Sequence, residues 1–114
     1  MAATKRSRKG RARLKVVWTE YALRDLERID SYIAGDSPAA AARWVGKLIA
    51  TAAALASAPM SGRAVPEKGR ADIREVLERH YRIVYRVRET RVDILTVFEG
   101  HKQQLPSGAI PEDD

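Results

Sequence analysis

Apolar residues recur at helical spacing in the first half of the chain. Thr19 is placed to cap a first helix, which we expect to run to about Ala34 and to end at Gly35. Its apolar stripe is Ala22, Leu26, Ile29 and Ile33. The charged residues of the far side, which we expect in solvent, are Arg24, Asp25, Glu27 and Arg28.

A second helix is predicted from Ser37, where Pro38 occupies the first helical position and its missing N–H is no loss. This segment is rich in alanine and continues to about Ser57, before Pro59 stops it. Its buried stripe is Ala41, Val45, Leu48, Ala52 and Leu55. We expect the two helices to form a closely packed hairpin, with Trp18 and Trp44 as core anchors.

The second half of the chain has the short β-branched and aromatic runs of strands. Glu78-Arg79-His80 and Arg88-Glu89-Thr90 interrupt these runs, which predicts three strands between Ala71 and Phe98. One further strand is expected at residues 14–18, beside the last strand, and residues 59–70 are expected to form a loop. The order strand, helix, helix, strand, strand, strand indicates an α+β fold, with a helical hairpin on one face of a mainly antiparallel sheet of three or four strands.

The arginines inside these strands are the unusual feature of the pattern. A turn at Glu89 and Thr90 places Arg86 opposite Asp93. The core side of the sheet is then expected to hold Tyr81, Ile83, Tyr85, Val87, Val92, Ile94 and Phe98. The other side is expected to hold Arg82, Val84, Arg86, Arg88, Asp93, Leu95 and Val97. We expect Arg74 to share that side, which would make it a docking surface for phosphate or carboxylate groups.

Composition limits the classes of function. A chain of 114 residues without cysteine is one domain with no disulfide, zinc ribbon or catalytic thiol. Two distant histidines, His80 and His101, are a poor metal signal, so neither a metal nor another cofactor is expected. No apolar run resembles a membrane span or a secretory signal, and the expected location is the cytoplasm, away from membranes.

Most of the net charge of +6 belongs to the N-terminal segment. We predict a disordered basic tail at residues 1–13, a folded domain at 14–102 and a flexible tail at 103–114. The cations of the basic tail that would attract nucleic acid are Lys5, Arg6, Arg8, Lys9, Arg11 and Arg13. One hypothesis is therefore a nucleic-acid-binding module without enzymatic activity that uses this arm, and the alternative is a solubilising extension.

An ordered set of motifs over residues 15–102 resembles the RelE/ParE superfamily of type II toxin–antitoxin toxins. The matching segments are Val16-Val17-Trp18-Thr19-Glu20-Tyr21-Ala22-Leu23-Arg24-Asp25-Leu26, Ser37-Pro38, Pro59-Met60-Ser61-Gly62-Arg63, Ile73-Arg74-Glu75-Val76-Leu77, Tyr81-Arg82-Ile83-Val84-Tyr85-Arg86-Val87, Ile94-Leu95-Thr96-Val97 and Gly100-His101. The resemblance implies a cytoplasmic growth inhibitor neutralised by a cognate antitoxin. That antitoxin is expected to be acidic, to have a DNA-binding N-terminal half and to allow larger oligomers.

The resemblance leaves two molecular targets. RelE-like members are ribosome-dependent endoribonucleases that cut mRNA, whereas ParE-like members bind and poison DNA gyrase without known chemistry of their own. Arg74, Arg82 and Lys102 match cationic positions of the nuclease pattern. Its second lysine is replaced by Val76, and no tyrosine follows Lys102. The segments Ser61-Gly62-Arg63 and Ile73-Arg74-Glu75-Val76 resemble the ParE branch, which we favour.

The candidate residues differ between these hypotheses. For binding a target or an antitoxin they are Arg63, Arg74, Arg82 and Arg86. For RNA cleavage they are Arg74, Arg82, Lys102 and His101, because metal-free cleavage needs cations at the phosphate and groups that transfer protons. Ion pairing within the sheet is the structural alternative for Arg82, with Asp93 or Glu75, and for Arg86, with Asp93.

Overall fold

Two helices pack on one face of a mixed five-stranded sheet in the computed structural model, which describes residues 13–66, 68–100, 106 and 108–110. The elements are β1 (Lys15–Trp18), α1 (Glu20–Ala34), α2 (Pro38–Ala53), a 3₁₀ turn (Ala54–Ala56), β2 (Arg63–Ala64), β3 (Ile73–Glu78), β4 (Tyr81–Val87) and β5 (Arg91–Glu99). The strand order is β1-β5-β4-β3-β2, with β1 parallel to β5 and the other pairs antiparallel. The α+β prediction and the place of β1 beside β5 are confirmed, while β2 was expected to be loop.

The helix starts follow the predicted caps. The Thr19 hydroxyl accepts a hydrogen bond from the Ala22 N–H at 3.2 Å and donates one to the Ile94 carbonyl at 2.8 Å. Thr19 therefore caps α1 and joins it to β5. At the second helix, Ser37 Oγ accepts from the Ala40 N–H at 3.1 Å.

The main core lies between the helices and the sheet. Its buried residues are Ala22, Leu26, Leu48, Ala52, Leu55, Tyr81, Ile83, Tyr85, Val92, Ile94 and Val97. Trp18 and Trp44 are partly buried and pack against this cluster, as predicted. Two of the buried helix positions, Ala22 and Ala52, are alanines with little side-chain bulk.

A bulge in β5 changes which side chains reach that core. Tyr85 pairs with Ile94 while Val84 pairs with Thr96, so Leu95 is an extra residue in the ladder. Beyond it the alternation of β5 is reversed. Val97 therefore joins the helix-side core and Phe98 lies on the other face, which corrects the sides predicted for both residues.

Asp25 secures this bulge from the helix. Although it was expected in solvent, it is 4% exposed, and its Oδ2 accepts hydrogen bonds from Thr96 Oγ1 at 2.6 Å and from the Val97 N–H at 2.9 Å. Arg28 also pairs with this carboxylate. A buried backbone N–H needs an acceptor, and the Asp25 carboxylate provides one for Val97. These hydrogen bonds attach the irregular part of β5 to α1.

The other face of the sheet carries a second, smaller core. Its buried members are Val65, Ile73, Val84, Leu95 and Phe98, with Ile110 packed against them. Ala109 is also buried, at 5% exposure. This part of the predicted C-terminal tail therefore lies on the sheet, whereas residues 101–105, 107 and 111–114 are outside the described part.

The α2 segment is apolar as well as long. Together with the 3₁₀ turn it spans Pro38–Ala56, 19 residues whose length and composition would suffice for a membrane span. Core helices of globular proteins have the same properties, and Ala41, Leu48 and Ala52 are buried here. Packing within the domain therefore accounts for part of the apolar surface of α2.

Candidate functional site

The arginines of the sheet are divided between its two faces. Arg74 pairs with Tyr85, whose side chain lies in the helix-side core, while Arg82 pairs with Leu77 on β3 and Phe98 on β5. Directly paired residues of an antiparallel ladder project to the same face. Arg74 and Arg82 therefore lie on opposite faces, and the prediction that they form one cationic surface is wrong.

The turn between β3 and β4 explains this error. Glu78 pairs with Tyr81, so the turn contains two residues, Arg79 and His80, and Arg79 has a positive φ of 59°. A three-residue break at Glu78-Arg79-His80 would have placed Arg74 on the face of Arg82. Because side chains alternate along a strand, one residue of turn length transfers all of β3 to the other face.

Arg82 is held inside the sheet face by a carboxylate and a ring. Its side chain is 8% exposed, and Glu75 Oε1 lies 2.7 Å from Nε and 2.5 Å from Nη2. Its guanidinium carbon lies 4.9 Å from the centre of the Phe98 ring. The expected alternative of a pair with Glu75 is therefore the observed arrangement.

Glu75 also binds Arg63, so one buried carboxylate serves two guanidiniums. Its Oε2 is 2.6 Å from Arg63 Nε, and the Glu75 side chain is 1% exposed. Arg63 itself is 66% exposed. Arg63 is therefore positioned by the buried pair but remains available to a partner on the surface of the sheet edge.

Arg74 has a different task on the helix face. Its Nε donates to the Gly62 carbonyl at 2.9 Å and its Nη1 donates to the Ala71 carbonyl at 2.8 Å. Both acceptors belong to segments that flank β2. Arg74 thus binds the loop backbone together.

Tyr85 completes that loop clamp. Its hydroxyl accepts from the Gly62 N–H at 3.0 Å and donates to the Pro59 carbonyl at 2.8 Å. Burial raises the pKa of Tyr85, against the opposing effects of the Gly62 hydrogen bond and the Arg74 charge. A Cβ on Gly62 would lie 2.4 Å from the Glu75 carbonyl oxygen, so only glycine fits this approach of loop to strand.

Four arginines gather near the β4–β5 turn on the second face. Arg86 is opposite Asp93, as predicted, and it forms an ion pair with Asp72 at 3.2 Å. Asp72 also binds Arg70 at 2.7 Å. The pKa of Asp72 is lowered, first by the hydrogen bond from Arg70 and against the effect of burial. Asp93 is shared by Arg88, at 3.6 Å, and Arg91, at 2.7 Å.

The other predicted residues are not brought together within the described part. His80 is exposed at the β3–β4 turn. Its ring contacts Trp44 edge-on, with ring centres 5.5 Å apart, and Tyr81 in a tilted arrangement at 4.4 Å. Of the basic segment, Arg13 is described, and its Nη1 lies 3.4 Å from Ser57 Oγ. Outside the described residues lie His101, Lys102, Lys5, Arg6, Arg8, Lys9 and Arg11. Their proposed roles stay predictions.

Sequence reasoning missed a groove between α1 and the end of β5. It encloses about 500 Å³ and is lined by Tyr21, Asp25, Arg28, Ile29, Tyr32, Tyr81, Val97, Phe98, Glu99 and Pro106. Tyr32 is 82% exposed at its rim. The signal was the spacing of Tyr21, Arg28 and Tyr32, seven and four residues apart, which puts them on one side of a helix.

Known toxin sequences match most of this chain. The family model described as "ParE toxin of type II toxin-antitoxin system, parDE" matches residues 16–104. The protein "Putative toxin Y4kP" of Sinorhizobium fredii is 39% identical over 92 residues, covering 81% of this chain and 94% of that protein.

Two solved structures share the fold. The chromosomal ParDE system of P. aeruginosa has a chain with a TM-score of 0.64 and 23% identity, covering 77% of this chain and 97% of that one. The RelBE2 toxin–antitoxin complex of Mycobacterium tuberculosis has one with a TM-score of 0.60 and 24% identity, covering 77% and 92%.

Proposed function

This chain belongs to the family of ParE toxins of type II toxin–antitoxin systems, and we propose that it inhibits DNA gyrase by binding and that a cognate antitoxin neutralises it. In this proposal the arginines stabilise the fold or contact a partner. The toxin inhibits gyrase by occupying a surface of it.

The observation that carries this proposal is the separation of Arg74 from Arg82. RNA cleavage without a metal needs cations placed together at the scissile phosphate. Arg74 donates to two backbone carbonyls on the helix face, while Arg82 is buried against Glu75 on the other face. This placement favours a binding function over the nuclease arrangement.

The edge of the sheet at β2 and β3 offers a surface for the target. Leu77 is 60% exposed and Arg63 is 66% exposed. Arg63 pairs with Glu75, two residues before Leu77 on the same face, so the two side chains are diagonal neighbours about 7–8 Å apart. Arginine is enriched at protein interfaces, and the exposed leucine beside it provides apolar surface that a partner can bury.

The antitoxin has a separate candidate site on the helix face. The groove of about 500 Å³ beside α1 combines tyrosine rings with Arg28, which would suit an apolar and acidic helix of a partner. The outer edge of β1 is a second point of attachment, since β1 pairs only with β5 in the described sheet and could accept an added strand. The antitoxin would then cover the toxin without using Leu77.

The test is a comparison of two targets with the same purified chain. One reaction contains gyrase and DNA, with supercoiling and DNA cleavage as readouts, and the other contains programmed ribosomes, with mRNA cuts as the readout. The proposal expects inhibition or cleaved DNA complexes in the first and intact mRNA in the second. Codon-specific mRNA cuts that disappear in the Arg82→Lys variant, with the fold retained, would overturn it in favour of the RelE-like ribonuclease.

A further inference from the structure

Three aromatic rings lie together where α2 meets the β3–β4 turn. The centre of the His80 ring is 5.5 Å from that of Trp44 and 4.4 Å from that of Tyr81. The rings of Trp44 and Tyr81 are 5.6 Å apart, so the three form one cluster. His80 is exposed, whereas Trp44 is partly buried and Tyr81 is buried. The exposed ring is therefore supported by two rings that belong to the core.

Cations flank this ring cluster. Lys47 Nζ lies 5.8 Å from the centre of the Trp44 ring. Arg43 precedes Lys47 by four residues on α2, which puts both cations on one side of the helix. Arg79 directly precedes His80 in the turn and is exposed. We name this surface the turn platform, and its residues are Arg43, Trp44, Lys47, Arg79, His80 and Tyr81.

The cations of the turn platform differ from the arginines of the strands, which bind carboxylates or backbone carbonyls. In the part of the chain that the structure describes, no acidic side chain pairs with Arg43, Lys47 or Arg79. Helix α2 itself contains no Asp or Glu. Two acids, Glu78 and Glu99, border the platform at strand ends, so an anion has its favourable approach from the α2 side.

The turn holds its exposed residues in place. The His80 carbonyl accepts a hydrogen bond from the Gly100 N–H, and Glu78, just before the turn, accepts one from Thr51 Oγ1 at 2.6 Å. Arg79 has a φ of 59°, in a region that suits glycine far better than arginine. An arginine kept in this conformation presents its charge at the cost of backbone strain, which points to a role for that charge.

We propose that the turn platform binds single-stranded nucleic acid, with phosphates at its three cations and a base stacked on the exposed His80 ring. Aromatic side chains beside cations are the combination by which proteins hold unpaired strands. An acidic protein segment would use the cations but not the ring. The inference does not depend on the gyrase proposal, because the isolated chain should bind an oligonucleotide whichever enzyme it inhibits.

A pair of variants matched in charge tests the role of the cations. Lys47→Gln/Arg79→Gln removes two positive charges from the platform. Lys15→Gln/Lys68→Gln removes two from exposed lysines elsewhere, which also have no acidic partner among the described contacts. Both variants keep the basic N-terminal segment, and all four side chains are exposed, so the urea midpoints should stay near that of the native chain.

Fluorescence anisotropy with a labelled oligothymidine measures the affinity of the full chain. We expect the platform variant to bind about tenfold more weakly and its salt slope to fall by about 1.4, since each phosphate contact of a single strand contributes about 0.7. The Lys15→Gln/Lys68→Gln control should stay close to the native chain in both quantities. Equal losses in the two variants would reflect net charge alone and would overturn the proposal.

The stacking contact is tested at His80 with the same assay. His80→Ala should weaken binding about tenfold, the size of one base–aromatic contact, while His80→Phe keeps a ring and should keep the affinity. Duplex DNA, whose bases are already stacked, should bind more weakly and should not respond to His80→Ala. Unchanged binding of oligothymidine by His80→Ala would contradict the proposal. Oligouridine in place of oligothymidine separates RNA from DNA as the preferred strand.

The two indole N–H signals in the NMR spectrum locate the bound strand. Trp44 belongs to the turn platform, while Trp18 packs against the core from β1. Oligothymidine should shift the Trp44 signal and leave the Trp18 signal in place. Binding that shifts neither signal would place the strand elsewhere on the chain and overturn the proposal. A polyglutamate peptide that shifts Trp44 as strongly at the same concentration would overturn it in favour of a protein partner.

Discussion

Glu75 binds Arg82 through one carboxylate oxygen, with Oε1 2.7 Å from Nε and 2.5 Å from Nη2. The two side chains are 1% and 8% exposed, so each neutralises the other where water does not reach. Removing one partner from a buried pair leaves an uncompensated charge, which typically costs about 3–5 kcal/mol. We expect Glu75→Ala to lower the free energy of unfolding by an amount in this range, measured by urea denaturation.

The control for this pair is an ion pair on the surface of α1. Glu20 and Arg24 are 3.5 Å apart and are 83% and 59% exposed. Such pairs contribute at most about 1 kcal/mol, so Glu20→Ala should shift the urea midpoint much less. Similar midpoints for the two variants would show that the Glu75 carboxylate is not needed for folding.

Replacing Gly62 by alanine and replacing Gly46 by alanine should change the stability of the protein in opposite directions. An added Cβ at Gly62 would lie 2.4 Å from the Glu75 carbonyl oxygen and 2.6 Å from the Tyr85 hydroxyl. Gly62→Ala should therefore destabilise the protein by about 1–3 kcal/mol, the usual cost of an overpacked site.

Gly46 is the matched position, since nothing lies within 4 Å of a Cβ there and the residue belongs to α2. Gly46→Ala should stabilise the protein by about 0.5–1 kcal/mol, because alanine favours the helix. Thermal unfolding of the two variants checks both signs. A stable Gly62→Ala protein would mean that the loop and β3 are not in close contact.

Tyr85 makes stability depend on pH at the alkaline end. Burial raises the pKa of its hydroxyl above the ordinary value of 10.0 in the folded protein. The resulting contribution is fully present below pH 10 and is lost as the pH rises through the folded-state pKa.

Tyr85→Phe should therefore weaken the alkaline loss of stability. At neutral pH it should cost about 1–3 kcal/mol, because the Gly62 N–H loses its acceptor. Burial also raises the pKa of Tyr81, so this variant should keep a residual dependence of stability on pH. Urea midpoints between pH 7 and 11 measure both effects. The control Tyr32→Phe, at a side chain 82% exposed, should leave the stability at pH 7 unchanged. An unchanged slope in Tyr85→Phe would contradict the assignment.

The proposed target surface predicts a loss of function without a loss of stability. Leu77 is 60% exposed, so Leu77→Ser should unfold at nearly the same urea concentration as the native chain. Its affinity for gyrase should fall by about 2 kcal/mol, or roughly thirtyfold, the size of a central interface contact. Binding to immobilised gyrase provides the measurement.

Ile49→Ser is the matched control for Leu77→Ser. Ile49 is a similar aliphatic side chain, 44% exposed on α2 and away from the proposed surface. We expect this variant to keep the native affinity for gyrase. Equal losses in the two variants would place the target elsewhere.

The hydrophobic pattern was sufficient to predict the architecture, because apolar residues recur along each helix and each strand at the spacing typical of that element. Thr19 and Ser37 cap the helices as expected, and the Arg86–Asp93 register is correct. The position of Arg74 was not accessible, since it depends on whether the turn before Tyr81 has two residues or three. Local composition does not fix that number.

The bulge at Leu95 was missed for a related reason. A strand sequence of Ile94-Leu95-Thr96-Val97-Phe98 is apolar on both sides, so alternation cannot indicate an inserted residue. The bulge is held by Asp25, 72 residues away from Val97 in the chain. Local sequence does not indicate contacts between residues so far apart in the chain. The burial of Asp25 and the groove beside α1 both depend on such contacts and were missed for that reason.

The central claim, inhibition by binding, is tested most directly by a titration of gyrase at fixed concentration with the purified chain, using supercoiling as the readout. A binding inhibitor whose Kd is well below the gyrase concentration should reduce activity in proportion to the amount added and reach its limit near molar equivalence. The account predicts this stoichiometric curve for the native chain and a weaker one for Leu77→Ser. Undiminished supercoiling at a large molar excess, together with mRNA cleavage at far less than one toxin per ribosome, would contradict it.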